Sequence, residues 1–388
     1  MEILIAGVSV RGLAESAVRS GFGHRIVAVD HFGDFDLRRL CRSRSIKRDL
    51  RLPYEVRHLL AARRDLAYEA VVYCANLENH PAAVELLSRG RRLLGNDATA
   101  LSAVRDPARF FGLLAQRGIP APRISFSADE VAAYGPGVSW IRKPIRSGGG
   151  HGIAVHPPGA PLGPGYLLQE RLEGLPCSAV FVADGRECRL LGISEQLIGE
   201  KAFGGSAFRY CGSILGPVRD GEVECRQVID RAGQVVSAIT REFRLVGVNG
   251  MDFVLKGRDV YPLEINPRYT ASMELVERAY GVNIFETHLE ACQGRLPAFE
   301  LARQIDMGFL GKAILYAPEG LVFHDPAAWF EQGARDLPFD GEQIGRGKPV
   351  CTIFSQGRNR SECYNRLVEA AADVYRASRD SPMLRGSG

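Results

Sequence analysis

The sequence predicts an α/β protein in three parts that opens with a Rossmann-like unit. Three observations predict it. Short apolar runs alternate with helical stretches over the first 96 residues, the pattern of a doubly wound unit. A segment dense in glycine and proline, 135–165, then encloses one good strand and leads into a long strand-rich stretch. From about Gly311 the composition changes again, with three short strands and a closing helix. At 388 residues, two or three domains are expected from roughly 100–200 residues per domain.

Taken in order, residues 2–8 (EILIAGV) form an apolar run ending near Gly7 and read as a buried parallel strand. A helix follows over 13–20, then strands over 25–30 (RIVAVD) and 70–74 (AVVYC). The loop Gly7-Val8-Ser9-Val10-Arg11-Gly12 has Ser9 where a dinucleotide fingerprint wants its second glycine, so a scaffold is favoured over an NAD site. The arginine-rich run 38–51 lacks interleaved aromatics and reads as a solvated face, not a nucleic-acid surface. A helical stretch spans 98–118 and stops at Gly118-Ile119-Pro120. Strands follow at 124–126, 140–144 and 166–170, and 177–265 is mostly strand with a helix at 226–243. Strands at 312–316, 320–323 and 350–354 and a helix at 360–376 form a separate terminal module, and 385–388 are expected to fray. The expected boundaries are 1–96, 97–309 and 310–388.

Composition narrows the function classes. Hydrophobic residues make up 46% and charged residues 24%, which excludes a disordered or fibrous chain. The net charge of +4 comes from 49 basic and 45 acidic residues, too balanced to predict nucleic-acid or membrane partners. The nine cysteines are scattered without C-x-x-C, which points to reduced thiols and against zinc. The apolar runs are too short for a membrane span, and the N-terminus lacks a signal-peptide pattern, so a cytoplasmic location is expected. Only six of the basic residues are lysines: Lys47, Lys143, Lys201, Lys256, Lys312 and Lys348.

Two segments carry chemistry. Lys143 stands on a strand and is followed by Ser147-Gly148-Gly149-Gly150-His151-Gly152; glycines let backbone N–H groups approach a polyphosphate, and the lysine adds a point charge. A flexible surface loop accounts for this segment equally well. More specific is the run from Gly250 to Arg268, in which two alternating stretches flank Lys256-Gly257-Arg258-Asp259, a β-hairpin signature. A turn near Gly257 and Arg258 puts Asp252 opposite Glu264 and Phe253 opposite Leu263. With a side-chain period of two, Asp252, Glu264 and Asn266 share one face, and Phe253, Leu255, Leu263 and Ile265 share the other. Two carboxylates and an amide oxygen suit Mg²⁺, which commonly takes one or two carboxylates plus phosphate oxygens; the competing reading is a polar face with arginine partners. Arg268, two residues past Asn266, can hold a carboxylate or acyl phosphate bidentately.

The order of strand lysine Lys143, glycine loop, Gln169-Glu170, Asp252 and Glu264-Ile265-Asn266-Pro267-Arg268 resembles the ATP-grasp enzymes over nearly the whole chain. The first part resembles their pre-ATP-grasp domain, and the last, with Gly345-Arg346-Gly347-Lys348-Pro349, the small closing domain of biotin-carboxylase relatives. Within the superfamily the chain is similar to predicted ATP-dependent carboligases, a group that includes the tyramine–glutamate ligase of methanofuran biosynthesis. The resemblance implies ATP, with Lys143 on its phosphates, Gly148, Gly149, Gly150 and Gly152 as the lid, and Gln169, Glu170, Arg171 and Leu172 at the adenine hinge. It implies two Mg²⁺ ions, with Mn²⁺ as an alternative, held by Asp252, Glu264 and Asn266. Arg268 would steady an acyl phosphate. The chain departs from the family twice. Where the family has a lysine ahead of Gly118-Ile119-Pro120, this chain has Arg105 and Arg109; where a glutamate often holds ribose, it has Pro176 or Cys177.

Five other positions are weighed. Lys201, one of the six lysines and in a loop rich in glycine, is taken as a second candidate catalytic residue beside Arg268, with a solvated loop lysine as an equal alternative. His288 reads as a satisfied core or surface histidine and Cys351 as a packed thiol. Arg209 and Arg219 are candidates for an anionic pocket. The reading is an ATP- and Mg²⁺-dependent carboxylate–amine ligase acting on small molecules, with glutamate and tyramine, tyrosine or a related amine as substrates and a homodimer as an option. The rivals are a biotin-carboxylase-like carboxylase, a non-catalytic nucleotide-binding regulator and an NAD enzyme.

Overall fold

A computed structural model describes residues 1–132, 134, 137–216, 226–304 and 308–379. The first apolar runs form β1 (Glu2–Ala6), β2 (Arg25–Asp30) and β4 (Ala70–Tyr73) of a parallel five-stranded sheet in the order β3-β2-β1-β4-β5, whose edges are β3 (Arg42–Ser45), from the arginine-rich stretch, and β5 (Arg92–Leu93). Both faces of β1 are covered, with Ile3 and Ile5 in one core and Leu4 and Ala6 in another. That is why the strand reads as a continuous apolar run rather than an alternating one. The basic stretch 38–51 is partly consumed by ion pairs: Arg38 meets Asp49 at 2.7 Å, and Lys47 and Arg48 both engage Glu342 of the terminal part.

The helical stretch expected over 98–118 is two helices, Ala98–Val104 and Pro107–Gln116. Pro107 has no N–H for a continuing helix, and Asp106 instead caps the second, accepting from the amides of Ala108 and Arg109. Next comes a small antiparallel sheet in the order β6-β9-β7-β8, from β6 (Ile124–Ser125), β7 (Trp140–Pro144), β8 (Ala154–Val155) and β9 (Tyr166–Glu170).

The central sheet has seven strands in the order β14-β13-β10-β11-β12-β15-β18. They are β10 (Leu175–Asp184), β11 (Cys188–Ile198), β12 (Tyr210–Leu215), β13 (Val246–Lys256), β14 (Asp259–Asn266), β15 (Phe309–Tyr316) and β18 (Pro349–Gly357); β16 (Leu321–Phe323) and β17 (Glu342–Ile344) form a separate ribbon. The helix Arg226–Phe243 covers one face with Val228, Ala232, Val236 and Ile239, packed on Phe181, Met251, Phe253 and Ile265. The helix Met273–Tyr280 covers the other with Met273, Leu275 and Val276 against Val180 and Leu191.

The part expected from 310 packs around Phe323, Cys363 and Leu367, in a core that also takes in Leu197, Phe203 and Cys211 from before residue 310. It is not separate in hydrogen bonding either. Gly212 pairs with Ala313 and Ser213 with Lys312, so β15 and β18 extend the central sheet. Unpaired edges of β12 and β15 would leave backbone polar groups open, and joining them satisfies both. The closing helix runs over Arg360–Arg379; residues 385–388 lie outside the described residues. Among the described residues no helix is long and apolar enough to cross a membrane.

A buried ionic cluster ties the three parts together. Arg11, 1% exposed, donates to both oxygens of Glu274 (2.7 and 3.1 Å), both oxygens of Asp336 (2.9 and 3.0 Å) and Glu15 (2.8 Å), with Asp36 at 3.6 Å. Asp336 has a left-handed backbone (φ 55°) whose amide is held by Asp36 at 2.9 Å. Lys312, also buried, meets Glu274 at 2.8 Å. Removing one member of such a cluster strands a charge in a medium that solvates it poorly. Arg11→Met is therefore expected to cost about 3–5 kcal/mol of stability at neutral pH. Chemical denaturation checks this, and a loss under about 1 kcal/mol would show that the carboxylates find other partners.

Candidate active site

The site is built on the β13–β14 hairpin. Its turn lies at Gly257 and Arg258, with Gly257 at φ 63°, a conformation that costs glycine little. Asp252 pairs with Glu264 and Gly250 with Asn266, which puts the two carboxylates side by side with the amide two residues on. One expectation fails. Phe253 pairs with Pro262, not Leu263, because a bulge between Asp252 and Phe253 leaves Leu263 unpaired. The extra residue rotates Leu263 out of the core, where Phe253, Leu255 and Ile265 remain, and onto the cavity wall.

A cavity of about 520 Å³ lies between this hairpin, the small β6–β9 sheet and the first and terminal parts. Lys143, Gln169, Glu170, Arg171, Leu172, Asp252, Glu264, Asn266 and Arg268 all line it, as do Gly149 and Gly150. Gly148 and Gly152 are not on its wall. Gly152 packs against Pro144, where a Cβ would lie 2.8 Å from its ring. Gly150 has φ 78° and sits against the Phe208 carbonyl, where a Cβ would come within 1.8 Å. The Gly149 carbonyl accepts from the Tyr210 amide at 3.1 Å, so the glycine loop is pinned to the start of β12.

Electrostatics separate the two carboxylates. Glu264 Oε2 holds Lys143 Nζ at 2.8 Å and Arg105 Nη1 at 3.5 Å. Burial opposes its charge, but Lys143 and then Arg105 outweigh it and bring its pKa down to about 2. Asp252 lacks a cation at that range. It accepts from Gln196 Nε2 and Asn266 Nδ2, both at 2.9 Å. Burial first, and then Glu264, raise its pKa to about 6. Arg268 meets Glu78 at 2.7 Å and donates to the Asn266 amide oxygen at 3.2 Å and the Tyr269 carbonyl at 2.8 Å. The donors fit a hard divalent ion: Asp252 and Glu264 supply carboxylates and Asn266 an amide oxygen, the set Mg²⁺ completes with phosphate oxygens. Among the described residues there is no cluster of three or more His, Cys, Asp or Glu poised for a metal, so the set here is two carboxylates and one amide oxygen.

The structure also sorts the remaining candidates. Of the two arginines left open against the family lysine, Arg105 and not Arg109 is turned towards Glu264. It bonds the carbonyls of Ile265 (3.1 Å) and Ser147 (3.3 Å) and Asn79 Oδ1 (3.1 Å), whereas Arg109 is exposed. Lys201 is not brought to the site. It is exposed on the short turn Lys201–Phe203, whose Phe203 is fully buried in the terminal core, and it is absent from the cavity wall. Arg209 stacks 4.7 Å over Tyr316 and donates to the Gly347 carbonyl, a structural role; Arg219 lies outside the described residues. His288 is buried, accepts from the Val248 amide at 3.0 Å and reaches the Leu94 carbonyl at 3.1 Å, and Cys351 is buried. Pro176 lines the cavity while Cys177 faces the core, so no carboxylate stands at either position for ribose. Sequence reasoning missed Gln196 and the far wall of Arg11, Lys312 and Asp336. Of these only Lys312 carried a signal, as one of the six lysines.

The opposed shifts have opposite signs in stability. Asp252 binds its proton more tightly folded than unfolded, so it contributes stability at acid pH that is lost as pH rises from about 4 to about 6. Glu264 is depressed, so its contribution is present above its unfolded value and lost as pH falls towards about 2. Asp252→Asn should therefore gain stability over the parent at pH 7 and lose that advantage near pH 4 in the nucleotide-free chain. Thermal melts of both proteins across this range check it, and a pH-independent difference would refute it.

Residues 105–272 match the family model described as the ATP-grasp domain. Among curated proteins, the large chain of carbamoyl phosphate synthase from Thermus thermophilus is 29% identical over 211 residues, and that from Archaeoglobus fulgidus 25% over 232. The matches cover 50% and 55% of this chain, which spans only about a fifth of the length of these relatives. Among solved structures, biotin carboxylase from Campylobacter jejuni superposes with a TM-score of 0.72 at 14% identity, covering 96% of this chain and 91% of that one. The biotin carboxylase domain of Hydrogenobacter thermophilus 2-oxoglutarate carboxylase, a dimer in complex with MgADP, ADP and bicarbonate, gives 0.72 at 14%, covering 96% and 90%. The chain has the mixed α/β ATP-grasp fold, and residues 105–272 are its ATP-grasp domain.

Proposed function

We propose that this chain is an ATP- and Mg²⁺-dependent ligase that activates a carboxylate as an acyl phosphate and joins it to an amine. The observation that carries the reading is the cross-strand pair Asp252–Glu264 with Asn266 beside it, facing a cavity that also presents Lys143, Arg268 and the glycine loop. ATP would lie with its adenine against Glu170, Arg171 and Leu172 and its phosphates under Gly149 and Gly150, near Lys143 and Arg105. Asp252, Glu264 and Asn266 would hold Mg²⁺, or Mn²⁺ in its place. The metal supplies charge neutralisation on the phosphates as the γ-phosphoryl group moves.

The chemistry assigns the remaining roles. The substrate carboxylate attacks the γ-phosphorus, the bond to ADP breaks, and an acyl phosphate forms. The amine nitrogen then attacks the acyl carbon, phosphate leaves, and an amide remains. Arg268, fixed by Glu78, presents a guanidinium beside Asn266 that matches a carboxylate or acyl phosphate and is the candidate catalytic residue. The glycine loop excludes the water that would hydrolyse the intermediate. For the substrates we propose glutamate as the acid and tyramine, tyrosine or a related amine as the acceptor, in a methanofuran-type cofactor.

A second reading has its own support. The likeness to biotin carboxylases runs over nearly the full length of both chains, and carboxyphosphate is made by the same phosphoryl transfer. In that case bicarbonate replaces the organic acid. ADP release measured with ATP, Mg²⁺ and pooled acids and amines separates the two. The ligase reading expects release that needs both an acid and an amine, with the amide seen by mass spectrometry. Release that needs bicarbonate and biotin supports the carboxylase, and nucleotide binding without turnover across the screen supports a regulator. Glu264→Gln is expected to lower turnover by at least about 10²-fold, the range for losing one strong electrostatic contact in a transition state. Lys201→Ala is expected to leave it within about twofold, because an exposed side chain off the cavity wall makes no such contact. Equal loss in both variants would overturn the assignment of the site.

A further inference from the structure

A second cavity, of about 320 Å³, lies away from the hairpin, between the helix Met273–Tyr280, β15, β18 and the terminal helices. That volume is at the small end of the roughly 300–1,000 Å³ range of ligand clefts. Its wall is apolar at Leu275, Leu310, Trp329 and Ile353, and it carries one cationic group, Arg278. The guanidinium carbon lies 3.6 Å over the centroid of the Phe354 ring. Contact of this kind restrains the guanidinium before any ligand arrives.

The charge around Arg278 is unbalanced. Its carboxylate partner among the described residues is Glu274, at 3.5 Å. Glu274 is already claimed by Arg11 at 2.7 and 3.1 Å and by Lys312 at 2.8 Å. Arg11 has Asp336 and Glu15 as further partners. One carboxylate therefore serves three cations, and Arg278 stands farthest from it. A guanidinium has five N–H donors, and among the described residues this one makes one long hydrogen bond, at 3.5 Å, to a carboxylate that is otherwise engaged. Burial disfavours its charge most; Glu274 and then Glu15 favour it, and the neighbouring Arg11 and Arg335 oppose it, with a net lowering, so an incoming anion meets a cation whose acidic neighbours are shared with other cations.

We infer that this cavity is a binding site for a small carboxylate with an apolar body, its carboxylate on Arg278 and its body against Trp329 and the leucine wall. A bare phosphate would use the cation but leave the apolar wall wet; a neutral apolar molecule would use the wall but leave the guanidinium without its anion. The site is separate from the ATP-grasp cavity, and the inference does not rest on the ligase reading.

Benzoate is a suitable probe, and the protein carries its own reporter. The chain has two tryptophans, of which Trp329 lines this cavity and Trp140 is buried in the small sheet. In a Trp140→Phe variant, benzoate should change the emission of Trp329 saturably. Inorganic phosphate and benzyl alcohol should each bind at least about tenfold more weakly, the ratio that the loss of about 1.4 kcal/mol produces. Arg278→Gln should weaken benzoate by a similar factor, and Arg278→Lys should restore part of it. If Trp140→Phe does not fold, the difference between the parent and Trp329→Phe isolates the same signal. A linear response, an Arg278→Gln variant that binds as the parent does, or phosphate binding as tightly as benzoate would each overturn the inference. So would a chain that buries Trp329 against a second copy and gives no benzoate response.

Discussion

Two carboxylates standing opposite each other in a poorly hydrated cavity cannot both keep their charge without cations. The β13–β14 hairpin puts Asp252 and Glu264 in that position, and the surroundings of the cavity follow from how their charge is met. Glu264 is met by Lys143 from β7 and Arg105 from the break between two helices. Among the described residues the hydrogen bonds to Asp252 come from amide donors, Gln196 on β11 and Asn266 on its own hairpin, with Lys143 and Arg268 acting at longer range. The site is thus asymmetric before any ligand enters: Lys143 and Arg105 bring the pKa of Glu264 down to about 2, whereas burial and Glu264 raise that of Asp252 to about 6.

The same principle organises the far wall. Glu274 gathers Arg11, Lys312 and Arg278, and Arg11 in turn gathers carboxylates from the first and terminal parts. Buried clusters of this kind are costly in desolvation and give little net stability over an apolar core. What they supply is geometry. Asp336, held in a left-handed conformation by Asp36, can take its place on the cavity wall only when all three parts are docked. The first part is tied to the hairpin from the other side as well. Tyr73 and Asn96 both donate to the carbonyl of Pro267, between Asn266 and Arg268.

The hairpin was legible because its chemistry and its periodicity coincide over a short stretch of chain. Alternation placed Asp252, Glu264 and Asn266 on one face without any tertiary information. The bulge at Leu263 was not legible, because inserting one residue leaves the alternating pattern unbroken on either side of it. The helix break at Asp106-Pro107 was written plainly as a cap followed by proline but was hidden by apolar periodicity on both sides. The choice between Arg105 and Arg109 needed the structure. Both stand at helix ends four residues apart, and only packing turns the first inward and leaves the second in water. Lys201 misled for the opposite reason: scarcity of lysine is a compositional signal, and it says nothing about which way a short turn faces.

By itself the sequence determined the elements whose signals are local: the parallel strands of the first part, the glycine loop, the hairpin and the order of the groups along the chain. Only the tertiary structure decided which distant groups neutralise each carboxylate, that the terminal module continues the central sheet, and that Arg278 overlooks a second cavity. The physical reason is range. Periodicity and turn chemistry act over a few residues, whereas buried charges choose partners by distance in space, and Arg11 finds Glu274 and Asp336 263 and 325 residues away.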